Sequence, residues 1–367
     1  MILPAHIEKL RLPDEGRIIV ISDVHGSLAY LKGLLNKLEL KDEDTLVFDG
    51  DTMEKGPQSL DTLRFLMELD KKRRCLFVLG NCDYWYDEHD RTKPCTDWYV
   101  KDYLLTGGHG LGPGLLAQMC AEAGFELRPD YDVDEFRRVL GGRFAAEFEF
   151  LGRMPQLIET EHYVFVHGGI PEGAPESWDG WHLMKNDNFM SRGRRFSKWV
   201  IVGHWPVVLY RENVTDARPI IDRESRIISI DGGCVLKDDG QLNALIIPHN
   251  GSEDFTYTWY DPFPVRRVKS AQAAGEQSAY IRWGDNEVEI LERGAEFSRV
   301  RHVRTGYELD ILTKYLYGER GVVRCNDCTD YVLPLSPGDE VSVVETTSRG
   351  YLVKHEGVSG WYFGELE

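Results

Sequence analysis

The segment Ile18-Ile19-Val20-Ile21-Ser22-Asp23-Val24-His25 joins a run of β-branched apolar residues to two side chains that can bind metal ions. A short run of this kind is typical of a buried strand. Five later apolar runs also lead directly into polar motifs, namely Gly50-Asp51, Gly80-Asn81-Cys82-Asp83, His167-Gly168-Gly169, Gly203-His204 and Asp231-Gly232-Gly233. Because open α/β sheets bind their ligands at the carboxyl ends of the strands, the six motifs predict one shared site.

The donor atoms at these predicted strand ends are oxygens and nitrogens, which divalent metal ions prefer. In chain order, the candidate metal ligands are Asp23, His25, Asp51, Asn81, His167 and His204. Six such groups can hold two divalent cations that share one carboxylate. Each residue alone could instead be a turn residue, a helix cap or a core histidine, and Asp231 could equally be a turn residue. The ordered set favours a two-metal centre.

Alternation of strands with amphipathic helices predicts an α/β fold for the first part of the chain. Leucines spaced three or four residues apart give one apolar helical face between Ser27 and Leu38, and another between Leu60 and Leu69. This β-α-β-α-β order favours parallel strands with helices on the faces of the sheet. The stretch at about 95–150 has no strong strand pattern, and we expect a helical insertion that caps the cleft.

The last part of the chain has the pattern of a small all-β domain. Short alternating strands and tight turns begin near residue 307, and a late Gly360-Trp361 pair follows. This pattern resembles an SH3-like β-barrel, which implies a peptide or protein ligand for that domain. The predicted domains are therefore 1–264 for the α/β part, 265–306 for a linker or β extension, and 307–367 for the barrel.

Composition limits the classes of partner and the location. The net charge of −18 argues against binding to a nucleic-acid polymer, whose phosphates need a basic surface. No apolar run approaches the roughly 18 residues of a membrane span, so no membrane partner is expected. Seven scattered cysteines do not suggest a disulfide framework, and the first residues do not resemble a signal peptide. A cytoplasmic location is the expectation.

Together, the six motifs resemble those of the calcineurin-like metallophosphoesterase superfamily. Within it they are most similar to the phosphoprotein phosphatase branch, which includes serine/threonine phosphatases and symmetrical diadenosine tetraphosphatases. The resemblance implies a four-layer α-β-β-α sandwich, two ions of manganese, iron or zinc, and attack on phosphorus by a hydroxide that bridges them. The implied ligands are Asp23 and His25 for the first ion, Asn81, His167 and His204 for the second, and Asp51 for both.

Two motifs depart from the family pattern. Glu54-Lys55 stands where the family has an acidic residue followed by arginine, and lysine lacks the two-pronged fork of arginine. Cys82 stands where the family has the histidine that protonates the leaving oxygen. Loss of a general acid is expected to slow poor leaving groups by about 10²–10⁴-fold, unless the thiol or Asp83 supplies the proton. Lys185 aligns with a phosphate-binding arginine of bacterial relatives.

The resemblance leaves three functions open. The first is a protein-phosphatase-like phosphomonoesterase, the second a bis(5′-nucleosyl)-tetraphosphatase-like hydrolase of phosphoanhydrides, and the third a weakened, metal-bound scaffold that binds phosphorylated partners. The expected substrate is a phosphorylated protein or a nucleotide. The candidate catalytic residues are Asp51, Glu54, Asn81, Cys82 and Asp83, and the candidate phosphate-binding residues are Lys55, Asn81 and Lys185.

Overall fold

The computed structural model describes residues 3–95, 98–108, 112–319 and 321–367. The chain divides into two compact units. The first unit comprises Met1–Pro206, Pro219–Leu236 and Gln241–Tyr260, and the second comprises Val207–Arg218, Lys237–Gly240 and Asp261–Glu367. Two short segments within the sequence of the first unit therefore belong to the second. The domain boundaries predicted at 264 and 306 stay a prediction.

The first unit contains strands and helices in alternation. Up to residue 260 the strands are β1 (Ile7–Lys9), β2 (Ile18–Ile21), β3 (Thr45–Asp49), β4 (Cys75–Val78), β5 (Leu157–Glu159), β6 (Tyr163–Phe165), β7 (Trp199–Val202), β8 (Thr215–Asp216), β9 (Ile220–Asp222), β10 (Ile227–Ser229), β11 (Leu242–Ile247) and β12 (Thr256–Tyr260). Strand β8 lies in the second unit. The helices are α1 (Leu28–Leu38), α2 (Ser59–Asp70), α3 (Trp98–Leu105), α4 (Leu115–Ala123), α5 (Val133–Gly152) and α6 (Gly180–Met184).

A five-stranded sheet has the order β12-β11-β2-β3-β4. Strands β2, β3 and β4 are parallel neighbours, with Phe48 opposite both Ile21 and Phe77. The three strands therefore end at one edge of the sheet. The residues that follow them, Asp23 and His25 after β2, Asp51 after β3 and Asn81 after β4, lie along that edge.

A six-stranded sheet has the order β1-β5-β6-β7-β10-β9. Its central strands β6, β7 and β10 are parallel. These strands also end at one edge, which places His167, His204 and Asp231 in a row. Each sheet thus contributes three of the six motifs.

Alternation of side chains along the strands separates two cores. In β2, Ile18 and Val20 pack in a cluster with Phe165 and Ile201 of the six-stranded sheet. Ile19 and Ile21 pack in another cluster with residues of the helices. Successive side chains of a strand point to opposite faces, so one apolar run supplies both cores. The other face of the six-stranded sheet packs against α6 and the 3-10 turn at 189–192.

The predicted helical insertion contains α3, α4 and α5. Within the predicted insertion, helix α3 begins at Trp98, and residues 96–97 lie outside the described residues. Asp132 caps the start of helix α5, because its side chain accepts a hydrogen bond from Glu135 N, and the helix is interrupted at Phe144 by non-helical dihedral angles. Leu115, Phe136 and Phe148 of the insertion are buried in the core beside the five-stranded sheet. The insertion is therefore part of the first unit's core.

The second unit is rich in β-structure. Its further strands are β13 (Val265–Arg267), β14 (Tyr280–Ile281), β15 (Val288–Glu292), β16 (Phe297–His302), β17 (Glu308–Leu312), β18 (Leu316–Glu319), β19 (Val322–Cys325), β20 (Cys328–Thr329), β21 (Glu340–Thr346), β22 (Tyr351–His355) and β23 (Val358–Tyr362). The largest sheet has the order β13-β21-β22-β23-β8, and a three-stranded sheet has the order β15-β16-β17. The β-rich character was expected, and the SH3-like assignment stays a prediction.

The mixed α/β prediction is confirmed for the first unit. None of the helices within the described ranges is long and apolar enough to cross a membrane.

An ion pair between Arg17 and Asp44, the residues directly before strands β2 and β3, gives a stability prediction. Asp44 has a side chain that is 1% exposed, and it accepts hydrogen bonds from Arg17 Nε (3.0 Å), Arg17 Nη2 (2.6 Å) and Lys41 N (2.8 Å). Asp44→Ala removes these hydrogen bonds and should lower the free energy of unfolding by about 2 kcal/mol. The loss is not larger because solvent around the partly exposed Arg17 screens the ion pair. Urea denaturation at neutral pH measures this loss.

The stability contribution of Asp44 should also depend on pH. Burial raises the pKa of Asp44, but the hydrogen bonds from Arg17 and Lys41 lower it more, so the net pKa is below its ordinary value. The contribution of Asp44 is therefore present above about pH 4 and is lost as the pH falls through the folded pKa. Asp14→Ala, which removes an exposed partner of Arg11, should change stability by less than about 1 kcal/mol. Equal losses in the two variants would contradict the assignment.

Candidate metal centre

Four of the predicted metal ligands lie in turns with left-handed backbone. The φ angles are 56° at Asp23, 49° at His25, 50° at Asp51 and 65° at His204. A non-glycine residue in this region costs on the order of 1–3 kcal/mol, and such residues cluster at functional sites. Backbone hydrogen bonds hold two of the turns, because Asp23 N donates to Gly50 O and His25 N donates to Asp51 O, both at 3.0 Å. The strand ends are thus locked in an unusual conformation.

Each of the three histidines has one ring nitrogen held by an oxygen atom. This arrangement fixes the orientation of the imidazole and leaves the other ring nitrogen for a metal ion. Two of the holding oxygens are backbone carbonyls, and the third belongs to a carboxylate. The contacts are His25 Nδ1 to Met53 O (3.4 Å), His167 Nδ1 to Asp49 O (2.7 Å) and His204 Nε2 to Asp187 Oδ1 (2.7 Å).

The remaining donor atoms of these residues converge. Asp23 Oδ1 lies 3.7 Å from His25 Nε2 and 4.0 Å from His167 Nε2. Asp51 Oδ1 lies 3.2 Å from His167 Nε2. One ligand atom each from Asp51, His167 and His204 lies within 4.8 Å of the others. Asp51 is therefore close to both predicted ligand groups, as a shared carboxylate must be.

Asn81 completes the second predicted ligand group. An atom of its terminal amide lies 3.0 Å from His204 Nδ1. With its nitrogen there, the amide donates a hydrogen bond to the imidazole. With its oxygen there, the amide oxygen and Nδ1 face each other as two lone-pair donors, which is the arrangement that a shared cation requires. The geometry of Asn81 thus suits a metal ligand.

Several buried polar atoms at the centre lack the partners that burial normally demands. Asp23 Oδ1, His25 Nε2, His167 Nε2 and Asp231 Oδ2 have no hydrogen-bond partner among the residues that the structure describes. Buried polar groups are nearly always hydrogen-bonded, because an unpaired group costs about 1–3 kcal/mol. Divalent cations would satisfy these atoms, and oxygen and imidazole donors suit manganese, iron or zinc. The residues present therefore fit a two-metal centre.

Crowding of buried charges shifts the pKa values in the same region. Burial, followed by the charge of Asp231, raises the pKa of Asp23 well above its usual range. Burial also raises the pKa of Asp51, but the neighbouring His167 outweighs it, and the net pKa is well below the usual range. Burial lowers the pKa of His25 to about 3. A neutral His25 and an ionised Asp51 are the forms that bind metal ions.

Glu54, a candidate catalytic residue, is occupied by contacts with the helical insertion. Its Oε2 accepts a hydrogen bond from the hydroxyl of Tyr103 in α3 (2.9 Å), and its Oε1 accepts one from Leu115 N at the start of α4 (2.5 Å). A side chain at Gly114 would collide with the Glu54 carboxylate, so the helix can approach only because glycine stands there. Both oxygens of Glu54 thus serve to anchor the insertion.

Asp83, another candidate catalytic residue, is fully buried and ties two loops together. Its Oδ1 accepts hydrogen bonds from Thr52 N (2.9 Å) and Met53 N (3.1 Å), and its Oδ2 accepts one from Gly80 N (3.2 Å). Burial and the charge of Asp51 raise its pKa to about 7. These contacts hold the loops after β3 and β4 together, and the proton-donating role considered from the sequence stays a prediction.

The remaining candidates lie near the centre. Cys82 N donates a hydrogen bond to Asp51 Oδ1 (2.8 Å), and one ligand atom each from His25, Asp51 and Cys82 lies within 4.8 Å of the others. Burial raises the pKa of the Cys82 thiol well above its usual range, so the thiol keeps its proton. Burial lowers the pKa of Lys55, but neighbouring groups, Cys82 first, raise it more. Lys185 is half exposed, and its Nζ lies 3.3 Å from Asp187 Oδ1.

Sequence analysis did not identify all the residues that build the centre. Asp187 contacts His204 from 17 residues earlier in the chain, and no strand or helix period marks it. Ser22 was not among the predicted site residues, although its hydroxyl donates a hydrogen bond to Asp23 Oδ2 (2.5 Å). His204 N donates to that same oxygen at 3.0 Å. The only sequence signal for Ser22 was its position directly before a predicted ligand.

The fold and this cluster fit the class of metal-dependent hydrolases. The family model described as calcineurin-like phosphoesterase matches residues 16–222, which is more than half of the chain. The chain therefore belongs to the calcineurin-like phosphoesterase family. Members of this family use a dinuclear divalent metal centre, and the protein is a metal-dependent hydrolase that acts on phosphate esters.

Curated relatives with sequence similarity are nucleotide hydrolases. The chain is 26% identical over 248 residues to an asymmetrical bis(5′-nucleosyl)-tetraphosphatase of Bacillus velezensis, a match that spans 63% of this chain and 89% of the relative. A symmetrical bis(5′-nucleosyl)-tetraphosphatase of Hamiltonella defensa is 48% identical over 65 residues, which is 17% of this chain and 23% of that relative.

Among solved structures, a putative diadenosine tetraphosphatase superimposes with a TM-score of 0.43 at 20% identity, covering 70% of this chain and 99% of that one. A protein serine/threonine phosphatase of Saccharomyces cerevisiae superimposes with a TM-score of 0.40 at 10% identity, covering 71% of this chain and 85% of that one. A cold-active protein-tyrosine phosphatase of a Shewanella species gives a TM-score of 0.41 at 14% identity, covering 71% and 83%.

The shared carboxylate gives the first prediction for the centre. The purified protein, loaded with manganese and desalted, should carry close to two metal ions per chain. Because Asp51 lies beside both ligand groups, Asp51→Ala should reduce binding at both sites, whereas Asp23→Ala should mainly affect one. Elemental analysis of the desalted proteins measures the stoichiometry. Asp14→Ala is the control and should keep both ions, and retention of two ions by Asp51→Ala would refute the shared ligand.

The contacts of Asp83 give a second prediction. Asp83→Ala removes the acceptor of three buried backbone N–H groups and should lower the free energy of unfolding by on the order of 3 kcal/mol. Asp83→Asn keeps one oxygen for Thr52 N and Met53 N, so about half of that loss is expected. Chemical denaturation measures both values. Wild-type stability in Asp83→Ala, with turnover abolished in Asp83→Asn, would instead identify Asp83 as a proton donor.

Proposed function

We propose that the protein is a two-metal phosphomonoesterase of the serine/threonine phosphatase type. The observation that supports this most strongly is the convergence of the donor atoms of Asp51, His167 and His204 within 4.8 Å at the ends of strands from two sheets. Bound divalent cations would supply a nucleophilic water activated at neutral pH and compensate the charge of the phosphoryl oxygens. The proposed ligands are those predicted from the motifs.

In this proposal, the chain's own residues bind and orient the phosphate. Lys55 and Lys185 add positive charge beside the centre, which suits a phosphomonoester because its dianion carries more charge than a diester. Lysine offers a point charge without a fixed fork, so the phosphate is oriented mainly by the ligand set and by Asn81. Asp83 and Glu54 hold the loops that carry Asp51.

The proton for the leaving oxygen is assigned to the thiol of Cys82. This thiol keeps its proton at neutral pH because of its raised pKa, and the carboxylates of Glu54 and Asp83 are engaged in other contacts. A thiol whose pKa is far above neutral is a weak general acid. Substrates with good leaving groups should therefore be hydrolysed faster than alkyl phosphates.

Hydrolysis of a dinucleoside polyphosphate is the second candidate. Two observations favour it, namely the names of the curated relatives and the cysteine at the position of the family's general acid. The leaving group of a phosphoanhydride is a weak base and needs little protonation. A cytoplasmic location would give access to either substrate, and a ligand of the C-terminal part stays a prediction.

Cys82→His tests the function and the proton donor together. With manganese, the wild-type protein should hydrolyse an aryl phosphate, and Asp51→Ala should reduce this to background. Cys82→His should raise the rate on a phosphoserine peptide by on the order of 10²-fold, while rates on the aryl phosphate and on diadenosine tetraphosphate change little. Steady-state kinetics on the three substrates, run in parallel, measure these ratios.

Controls separate the three functions considered. Cys82→Ser removes the thiol without adding an imidazole and should not accelerate the peptide reaction. A wild-type preference for diadenosine tetraphosphate over both phosphomonoesters would favour the second candidate. No hydrolysis of any substrate by wild-type protein with two bound ions, restored by Cys82→His with Lys55→Arg, would favour the metal-bound scaffold and overturn the proposed enzyme.

A further inference from the structure

Asp187 holds His204 in a way that distinguishes it from the other two histidines of the centre. The second ring nitrogens of His25 and His167 contact backbone carbonyls, whereas His204 Nε2 lies 2.7 Å from Asp187 Oδ1. An ionised carboxylate can only accept, so the proton of the neutral ring lies on Nε2. His204 Nδ1 then carries a lone pair and faces the amide of Asn81 at 3.0 Å.

The segment that carries Asp187 packs closely against the loop that follows β6. Gly168 N donates to Leu183 O at 2.7 Å, and a Cβ at Gly168 would lie within 2.8 Å of the backbone nitrogens of Lys185 and Asn186. The carbonyl oxygen of Asp187 accepts a hydrogen bond from Arg192 Nη2 at 3.1 Å. The glycine after the predicted ligand His167 therefore permits the close approach that brings Asp187 to His204.

Asp187 also contacts a predicted phosphate-binding residue. Lys185 Nζ lies 3.3 Å from Asp187 Oδ1, the same oxygen that contacts His204. The His204 side chain is 8% exposed, but the Asp187 side chain is 46% exposed. The carboxylate thus stands at the border between the buried ligands and the solvent-facing lysine. An isolated ion pair on the surface would contribute little to stability. A carboxylate that orients a buried imidazole can instead affect the metal affinity of that imidazole.

We propose that Asp187 is a positioning residue of the second metal site, which holds the His204 ring so that Nδ1 is available to bind an ion. This inference rests on the proposed function, since it assumes that His204 binds a metal ion. Outer carboxylates that hold a ligating histidine typically contribute 10–100-fold to metal affinity. Asp187 should contribute an effect of that size to one ion only.

The test measures metal release from the full-length, metal-loaded protein. Manganese-loaded Asp187→Ala should release one of its two ions to a colorimetric chelator about 10–100-fold faster than wild type. Asp187→Asn should release this ion at close to the wild-type rate, because its amide oxygen can still accept a hydrogen bond from His204 Nε2. Lys185→Gln should release both ions at the wild-type rate and raise the KM for an aryl phosphate.

Control variants separate the positioning role of Asp187 from the proposed function. Glu224→Gln, which removes an exposed partner of Arg195, should leave release unchanged. Wild-type release from Asp187→Ala, or equal acceleration in Asp187→Asn and Asp187→Ala, would overturn the positioning role. Two bound ions with no hydrolysis of any phosphate ester would refute the proposed function while leaving the release test of Asp187 intact. Failure of the wild-type protein to bind ions at all would refute both.

Discussion

Burial of several like charges in one small volume is the constraint on which the first unit depends. The fully buried carboxylates at the strand ends are Asp23, Asp49, Asp51, Asp83 and Asp231. Removing a charge from water is costly, and negative neighbours add to the cost. Backbone N–H groups compensate Asp83, and imidazoles and Lys55 compensate part of the remainder. Divalent cations bound there would complete the compensation, so the fold of this edge and its proposed chemistry have one electrostatic cause.

Hydrogen bonds between residues of the two sheets also position these buried charges. Asp23 follows a strand of the five-stranded sheet, yet its Oδ2 accepts a hydrogen bond from His204 N, which follows a strand of the six-stranded sheet. His167 likewise contacts the carbonyl of Asp49 in the other sheet. Apolar packing between the sheets holds the strands, and these polar contacts hold their ends. Left-handed turns persist there because contacts from both sides determine them.

The convergence of the six candidate ligands could be predicted from the sequence because each lies within a few residues of the end of an apolar run that forms a strand. A local pattern was sufficient to mark these positions. The contacts of Glu54 and Asp83 were harder to predict, because their partners are a tyrosine and backbone N–H groups that no side-chain pattern indicates. Asp187 was missed for a related reason, since close packing on Gly168 brings it to the centre. The inclusion of 207–218 in the second unit also depends on tertiary contacts alone.

The anchoring of the insertion by Glu54 has a thermodynamic consequence. Glu54 lies three residues after Asp51, and its carboxylate joins that loop to Tyr103 of α3 and Leu115 of α4. Order in the loop and docking of the two helices are therefore coupled equilibria. Coupling free energies are reciprocal, so if ions bind at the centre, any molecule that holds the two helices in place would tighten ion binding by the same factor by which the ions would tighten its own attachment.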